Sequence, residues 1–419
     1  MKSGRAKHSL SGRGTKILVR VTIEFRHLSD PDEVRSGFGT FLRAMVGLPT
    51  MDIDATTITQ PGRFIGALES GVVIGGVDSY SGWLAVPGGA RVPHAAVTHV
   101  GVLPTHRRQG VLSRLMAAQF DDAHNRGEIV ATLRASEAVI YERFGYGIAS
   151  SSRSARLDRR RTRLRSTVPA EGRVRLIDDA ATNDQLVAVA DRVNSPGTVG
   201  LPGAWWELQR IRRAGEPGPI HVVLHNTAGV DDGYVVYRAE DPEQWFGSRT
   251  RTVTVTEFVA TNDAAHAGLW HHLLTLDLVD AVAITALALD DPIVVALDDP
   301  RALELGPEHD ETWLRLIDVD AALDARTYRD EDPVTVAVSD PLLTRNSGVF
   351  HIGPKSVHRV ETEPDVSVGV SALATTYLGG TRWRQLAAAG RVVEHRPGSI
   401  RRLDALFGTD RLPFSGVGF

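Results

Sequence analysis

One stretch of the chain has residue types ordered for anion chemistry: Val97-Thr98-His99-Val100-Gly101-Val102-Leu103-Pro104-Thr105-His106-Arg107-Arg108-Gln109-Gly110-Val111-Leu112. The run 97–103 reads as a strand stopped by Pro104. The segment 107–126 reads as a helix, because Val111, Leu112, Leu115, Met116, Phe120 and Ala123 repeat at helical spacing and Gly127 follows as a cap. A strand therefore enters a turn that opens a helix with arginines and a glycine in its first turn. Helix N-termini offer free amides and the positive end of the dipole, and both favour phosphate. Gly110 allows close approach of a pyrophosphate, and Arg107 and Arg108 add charge-assisted contacts. The plainer alternative is an ordinary strand-to-helix corner with a solvated basic start.

Arg107-x-x-Gly110 after a strand resembles the coenzyme A signature of GNAT-fold N-acetyltransferases. Where that pattern ends in a small residue, this chain has Leu112; His106-Arg107-Arg108-Gln109-Gly110 followed by two aliphatics resembles the enhanced intracellular survival (Eis) subgroup. Two further stretches are similar to the same family: Ala135-Ser136-Glu137 running into Ile140-Tyr141-Glu142-Arg143-Phe144-Gly145-Tyr146-Gly147, and 399–407 with a short tail ending in Phe419. The similarity runs from Ile17 to Phe419. It implies tandem GNAT-like acetyltransferase domains, of which only the first binds cofactor, followed by a sterol-carrier-protein-like α+β domain.

The resemblance also implies acetyl-coenzyme A as co-substrate, a homohexamer, and acetylation of amines on aminoglycosides, other polyamines or lysines. Backbone at Val100, Gly101 and Val102 would pair with the pantetheine arm. Arg107 belongs to the same turn, and Arg108, Gln109, Gly110, Val111, Leu112 and Ser113 would hold the pyrophosphate. Ser136 and Glu137 would line the far side, Tyr141 would be the general acid, and the Phe419 carboxylate the general base. The penultimate Gly418 stands where the family commonly has a carboxylate, so Glu24, Asp52 or Asp54 would have to compensate for a polycationic acceptor.

Acyl transfer from a thioester to an amine needs a neutral amine, a polarised carbonyl and a proton for the departing thiolate. An amide such as Val102 N–H suits the carbonyl oxygen. A tyrosine, with an ordinary pKa of about 10, can donate to a thiolate of roughly cysteine-like basicity, about 8.5. Glu137, Glu142 or a carboxylate delivered from elsewhere are the candidate bases. Spacing alone does not separate a catalytic Tyr141 from one that packs an aromatic corner with Tyr146. His94, His99 and His106 read as hydrogen-bonding surface residues. No metal-ligand spacing appears, and the adjacent His271 and His272 point to different faces of a helix, so no metal is expected.

The elements around this segment alternate between strand and helix. A capped helix is expected at 30–47, strands at 64–68, 72–83, 129–133 and 148–157, and a short helix at 137–144. A basic stretch, 153–165, holds seven arginines against one aspartate and reads as a solvated edge strand and linker. Beyond it, 173–319 repeats the α/β pattern without a phosphate-binding turn. Helices are expected at 183–192, 205–213 and 264–277, and strands at 220–225, 233–238, 250–260, 282–289 and 313–317. Trp205, Trp206, Trp245 and Trp270 read as core or interface residues. The last part holds strands at 334–338 and 348–352 and helices beginning near 371, 382 and 399.

The division is therefore 1–16 as a disordered extension, 17–157, 158–319 and 320–419, near the three domains that 419 residues suggest. With 42% hydrophobic and 23% charged residues the chain can bury cores, and a net charge of −4 argues against nucleic-acid or anionic-membrane binding. The absence of cysteine excludes thiol chemistry and disulfides and fits a cytoplasmic location, with secretion open. No apolar run reaches the roughly 18 residues of a membrane span. The competing readings are a GNAT acting on protein lysine, or a non-catalytic lipid or small-molecule carrier using the C-terminal domain.

Overall fold

The computed structural model describes residues 22–48, 53–169, 171–177, 182–215 and 218–418; the expected extension 1–16, Asp52 and Phe419 lie outside them. The first part contains β1 (Ile23–His27), α1 (Pro31–Ala44), α2 (Ala55–Ile58), β2 (Ile65–Glu69), β3 (Val72–Ala85), β4 (Arg91–Val102), α3 (Val111–Asn125), β5 (Val130–Leu133), α4 (Ala138–Tyr141) and β6 (Gly147–Asp158). The second contains β7 (Arg173–Leu176), α5 (Thr182–Ala190), β8 (Val199–Gly200), α6 (Gly203–Gly215), β9 (Ile220–Thr227), β10 (Val230–Ala239), β11 (Thr252–Ala260), α7 (Asp263–Thr275), β12 (Ala281–Ala288), α8 (Ile293–Ala296) and β13 (Leu303–Leu316).

These strands form one sheet in the order β1-β2-β3-β4-β5-β13-β6-β12-β11-β10-β9-β7, with β8 paired to β3. Its two halves echo each other. An antiparallel meander (β2-β3-β4 or β9-β10-β11) is followed by a helix (α3 or α7) and a strand parallel to the last (β5 or β12). The alternation of apolar runs and amphipathic helices in the sequence dictates this crossover pattern. The last part holds α9 (Val319–Ala325), β14 (Val334–Ser339), β15 (Gly348–Ile352), β16 (Val357–Val360), β17 (Val366–Gly369), α10 (Val370–Tyr377), α11 (Trp383–Ala388), β18 (Val392–Glu394) and α12 (Ser399–Leu406). Its five strands make a second sheet, β16-β15-β14-β17-β18, over a core that buries Trp383, Tyr377 and Phe350 completely. The expected class, two α/β units and an α+β unit, is the observed one.

Several local expectations change. Asp30 caps α1 by accepting from the amides of Asp32 and Glu33, with Pro31 in the first turn, but the helix stops at Ala44 and Val46 is 92% exposed beyond it. The helix expected at 107–126 starts four residues later, at Val111, because Arg108 (φ 62°) and Gly110 (φ 79°) adopt left-handed backbone that no helix continues. The arginine-rich strand is not an edge: β6 lies between β12 and β13, and partners from distant segments take up its charge. Arg156 donates to Thr252 and Arg159 to the Leu276 carbonyl, while Arg161 and Arg163 pair with Asp299 and Asp298. Trp205, Trp206 and Trp270 are buried, as read.

Candidate active site

The site begins at a fault in the sheet. Gly76 of β3 stands opposite Gly101 of β4, but Asp78 stands opposite Thr98, so His99 and Val100 share one partner position and make a bulge. His99 takes a left-handed φ of 48° there. It is buried, with Nδ1 3.1 Å from Asp78 Oδ2, and its ring stands 5.1 Å from Phe38 and 5.2 Å from Phe41. Bulges bend the strand that carries them, and parallel pairing of β4 with β5 ends at Ala96 opposite Thr132. The two strands part beyond that point and leave Val100, Gly101 and Val102 on one wall of a cleft. Gly101 lets α1 pack closely: a Cβ there would lie 3.0 Å from the Ala44 side chain and 3.1 Å from Phe41 Cα. His94 is fully buried against Thr132 (2.6 Å), and burial drives its pKa down to about 3, so neither it nor His99 is a surface residue.

At the mouth of the cleft the Leu103 amide donates to the Ile74 carbonyl (2.9 Å), and Pro104–His106 makes one tight turn. Gly110 is the N-cap residue of α3, and no side chain caps that helix. The first-turn amides therefore keep free donors, aimed where Val111, Leu112 and Ser113 line the cleft. Arg107 and Arg108 line it too, and Arg107 also donates to the Ala44 carbonyl. Gln109 does not; its amide turns back to the Thr105 carbonyl. Free amides, left-handed glycine and two guanidinium groups match the pyrophosphate of coenzyme A.

The opposite wall is Ser136, Glu137, Ile140, Tyr141 and Arg143, from α4 and the residues beside it. Tyr141 is 6% exposed and meets Tyr146 edge-to-face at 6.0 Å. Burial, then the charge of Glu137, pushes its phenol up to about 12. Its hydroxyl has no hydrogen-bond partner among the described residues. Tyr146 is wholly buried, its hydroxyl unpartnered, and burial lifts it further still. The cleft, open to solvent on one side, spans about 1230 Å³. A second chamber of about 920 Å³ adjoins it, and Met45, Val100, Ser136 and Tyr141 border both. Tyr141 thus stands where the two spaces meet.

The chain end comes back toward this chamber. Arg134, on its wall, donates to the Val417 carbonyl (2.6 Å) and to Ser415 Oγ. Glu311 accepts from the amides of Ser415 (3.1 Å) and Gly416 (2.8 Å), and the Trp205 indole donates to the Gly418 carbonyl (2.9 Å). The sequence reading missed Arg134, Glu311 and the α1 aromatics. Arg134 had one local signal: a cation placed directly after the apolar run of β5.

Residues 43–149 match the acetyltransferase (GNAT) domain family, 197–316 match a second acetyltransferase (GNAT) domain family, and 319–416 match the sterol carrier protein domain. The N-acetyltransferase Eis of Mycobacterium tuberculosis is 31% identical over 340 residues, covering 78% of this chain and 81% of its own length. The chain belongs to the Eis family of GNAT N-acetyltransferases. An uncharacterized N-acetyltransferase of Streptomyces griseus is 36% identical over 378 residues, 84% of this chain and 88% of its own. The crystal structure of Eis1 from Mycobacterium abscessus superposes with a TM-score of 0.89 at 46% identity, covering 95% of this chain and all of that one. A GCN5-related N-acetyltransferase from Anabaena variabilis, at 16% identity and TM-score 0.80, shares the fold. As an Eis-family protein the chain is an acetyl-coenzyme A-dependent enzyme with two GNAT domains and a sterol-carrier-protein-like domain. Among the described residues no helix is long and apolar enough to cross a membrane.

Proposed function

We propose that the chain transfers the acetyl group of acetyl-coenzyme A directly to a small-molecule amine in a ternary complex, with Tyr141 as general acid and the Phe419 carboxylate as general base. The observation that carries this reading is the position of Tyr141 on the border of both the cleft beside the α3 N-terminus and the second chamber. An amine in the chamber attacks the thioester carbonyl, whose oxygen is met by a β4 amide such as Val102 N–H. The amine's proton leaves to the carboxylate, directly or through water, and the thiolate takes the Tyr141 proton. The α-carboxyl has an ordinary pKa near 3.5 and is ionised at neutral pH. The bonds from Arg134, Glu311 and Trp205 to residues 415–418 support a terminus that is fastened rather than frayed.

Cofactor contacts are assigned to Val100, Gly101, Val102, Arg107, Arg108, Gly110, Val111, Leu112, Ser113, Ser136 and Glu137, with Gln109 shaping the turn. The division at 157/158 and 319/320, a homohexamer and a cytoplasmic location belong to the same proposal. The intact turn and Tyr141 favour catalysis over a pure carrier. The class of amine that the resemblance implied, aminoglycosides and other polyamines, calls for carboxylates beside the acceptor nitrogen, and the described lining of the chamber supplies none. The test is thiol release from acetyl-coenzyme A across a panel of amines; no release with any of them would refute the assignment.

A further inference from the structure

The second chamber has a composition of its own. Phe38, Phe41 and Leu42 of α1 form one side, and Leu133 and Leu208 contribute to the rest. The two phenylalanines lie 6.1 Å apart and present ring faces and edges rather than polar groups. The charged groups facing it among the described residues are both cationic, Arg134 and Arg212. Arg134 is committed to the chain end and Thr312. Arg212 has no carboxylate at ion-pair distance among the described residues; its Nη1 meets the Gln209 side-chain oxygen at 3.3 Å.

The acids that could reverse this sign are engaged elsewhere. Glu24 pairs with Arg26 at 3.2 Å, and Asp54 pairs with Arg35 while capping α2. Asp78 is buried behind His99. Asp52 lies outside the described residues. Glu311, bonded to the same chain-end segment, and Asp310 offset the charge of Arg134. That leaves Arg212 as the cation of the chamber with no carboxylate at ion-pair distance among the described residues, and the Phe419 carboxylate invoked above brings one negative charge for the reacting amine.

Resting on the acetyltransferase reading of this site, we infer that the acceptor is a monoamine on an aromatic or branched aliphatic body, and that polycations are poor acceptors. The apolar body packs on Phe38 and Phe41, and its amine reaches Tyr141. Nearby guanidinium charge disfavours the ammonium form of a bound amine, which leaves more of the neutral form that attacks. The same charge repels every further ammonium that a polyamine would bring. In the step, the C–N bond forms as the C–S bond breaks, the amine proton passes to the carboxylate and the thiolate gains the Tyr141 proton; the products are an amide and free coenzyme A. An acidic group at the far end of the substrate would meet Arg212.

The experiment compares 2-phenylethylamine, isoamylamine, spermidine and kanamycin by thiol release, with the full-length wild type, Arg212→Glu and Phe38→Ala. The wild type is expected to give kcat/KM at least tenfold higher for the two monoamines. Arg212→Glu should narrow that gap tenfold or more by favouring spermidine and kanamycin, and Arg212→Gln should move it the same way by less. Phe38→Ala should raise KM for 2-phenylethylamine at least fivefold. Spermidine or kanamycin turned over as well as the monoamines, or a preference indifferent to residue 212, would overturn the inference while leaving the acetyltransferase reading in place. Absence of release with every amine would instead overturn that reading, and this inference with it.

Discussion

Replacing Tyr141 with phenylalanine removes one oxygen and leaves the ring, so the two consequences of the change separate cleanly. The ring keeps its edge-to-face contact with Tyr146, and the lost hydroxyl has no partner among the described residues to be left unsatisfied. Folding stability should therefore move by less than about 0.5 kcal/mol. The barrier is another matter. A hydrogen bond to a charged thiolate is worth about 1.5–3 kcal/mol, roughly ten- to 150-fold in rate. Proton transfer in the transition state extends the range to about 10²–10⁴-fold. A phenol held at about 12 by burial and by Glu137 is fully protonated at neutral pH, since a raised pKa keeps the donor form present until pH approaches that value. Wild-type turnover should therefore show no loss from this group between pH 6 and 10. The assay is steady-state thiol release with both substrates varied. It should show a fall in kcat of at least a hundredfold, near-unchanged KM for acetyl-coenzyme A, and a melting temperature like that of the wild type. A fall below tenfold, or an alkaline limb near pH 9 that disappears in Tyr141→Phe, would refute the reasoning.

Tyr146→Phe removes a buried hydroxyl that has no partner, so it should hold or raise the melting temperature, by up to roughly 1 kcal/mol of stability, with turnover within a few fold. Arg108→Ala should raise KM for acetyl-coenzyme A about ten- to a hundredfold with little change in amine KM. Gly110→Val should do the same and also destabilise α3, because valine resists a φ of 79°. Deleting Phe419, or appending a C-terminal tag, should suppress kcat while acetyl-coenzyme A still binds by calorimetry. Glu311→Gln should shift kcat in the same direction, since one oxygen cannot accept from Ser150, Ser415 and Gly416 together. Full activity in the tagged enzyme would exclude the carboxylate. Light scattering should give a hexamer mass, and a monomer at micromolar concentration would exclude that assembly.

The strand-to-helix turn was legible because arginine and glycine types sit at fixed offsets from a strand end, and the short helix that carries Tyr141 because it lies in a contiguous motif. The start of α3 was read four residues early, since periodicity registers apolar faces but not the left-handed backbone of Arg108 and Gly110. The opening of the cleft was invisible: the bulge at His99 and Val100 depends on the register with β3. The arginines of β6 looked like an exposed edge because their neighbours, β12 and β13, arrive more than a hundred residues later. Only the apolar end of β13 was visible, its first half being dense in Glu304, Glu308 and Asp310. The second chamber draws on α1, β4, β5, α4 and α6, and no local pattern joins those segments.

The strand β13 has a consequence for how the enzyme comes into being. It inserts between β5 and β6, with Trp313 opposite Leu133 on one side and Leu303 opposite Leu157 on the other. A nascent chain that has left the ribosome only as far as Asp158 has every residue of the phosphate-binding turn and Tyr141, yet two neighbouring strands still lack their shared partner. The first half must wait for about 150 further residues to be synthesised, roughly 10–30 s at ordinary translation rates. Until then it exposes unpaired strand flanks that invite wrong pairing. Stalled chains that have extruded only residues up to about 160 should therefore be protease-sensitive, and those long enough to have extruded Leu316 protected. For the same reason the first GNAT domain, cut out at the apparent boundary, should not fold stably by itself: the truncation removes a strand from the middle of its sheet.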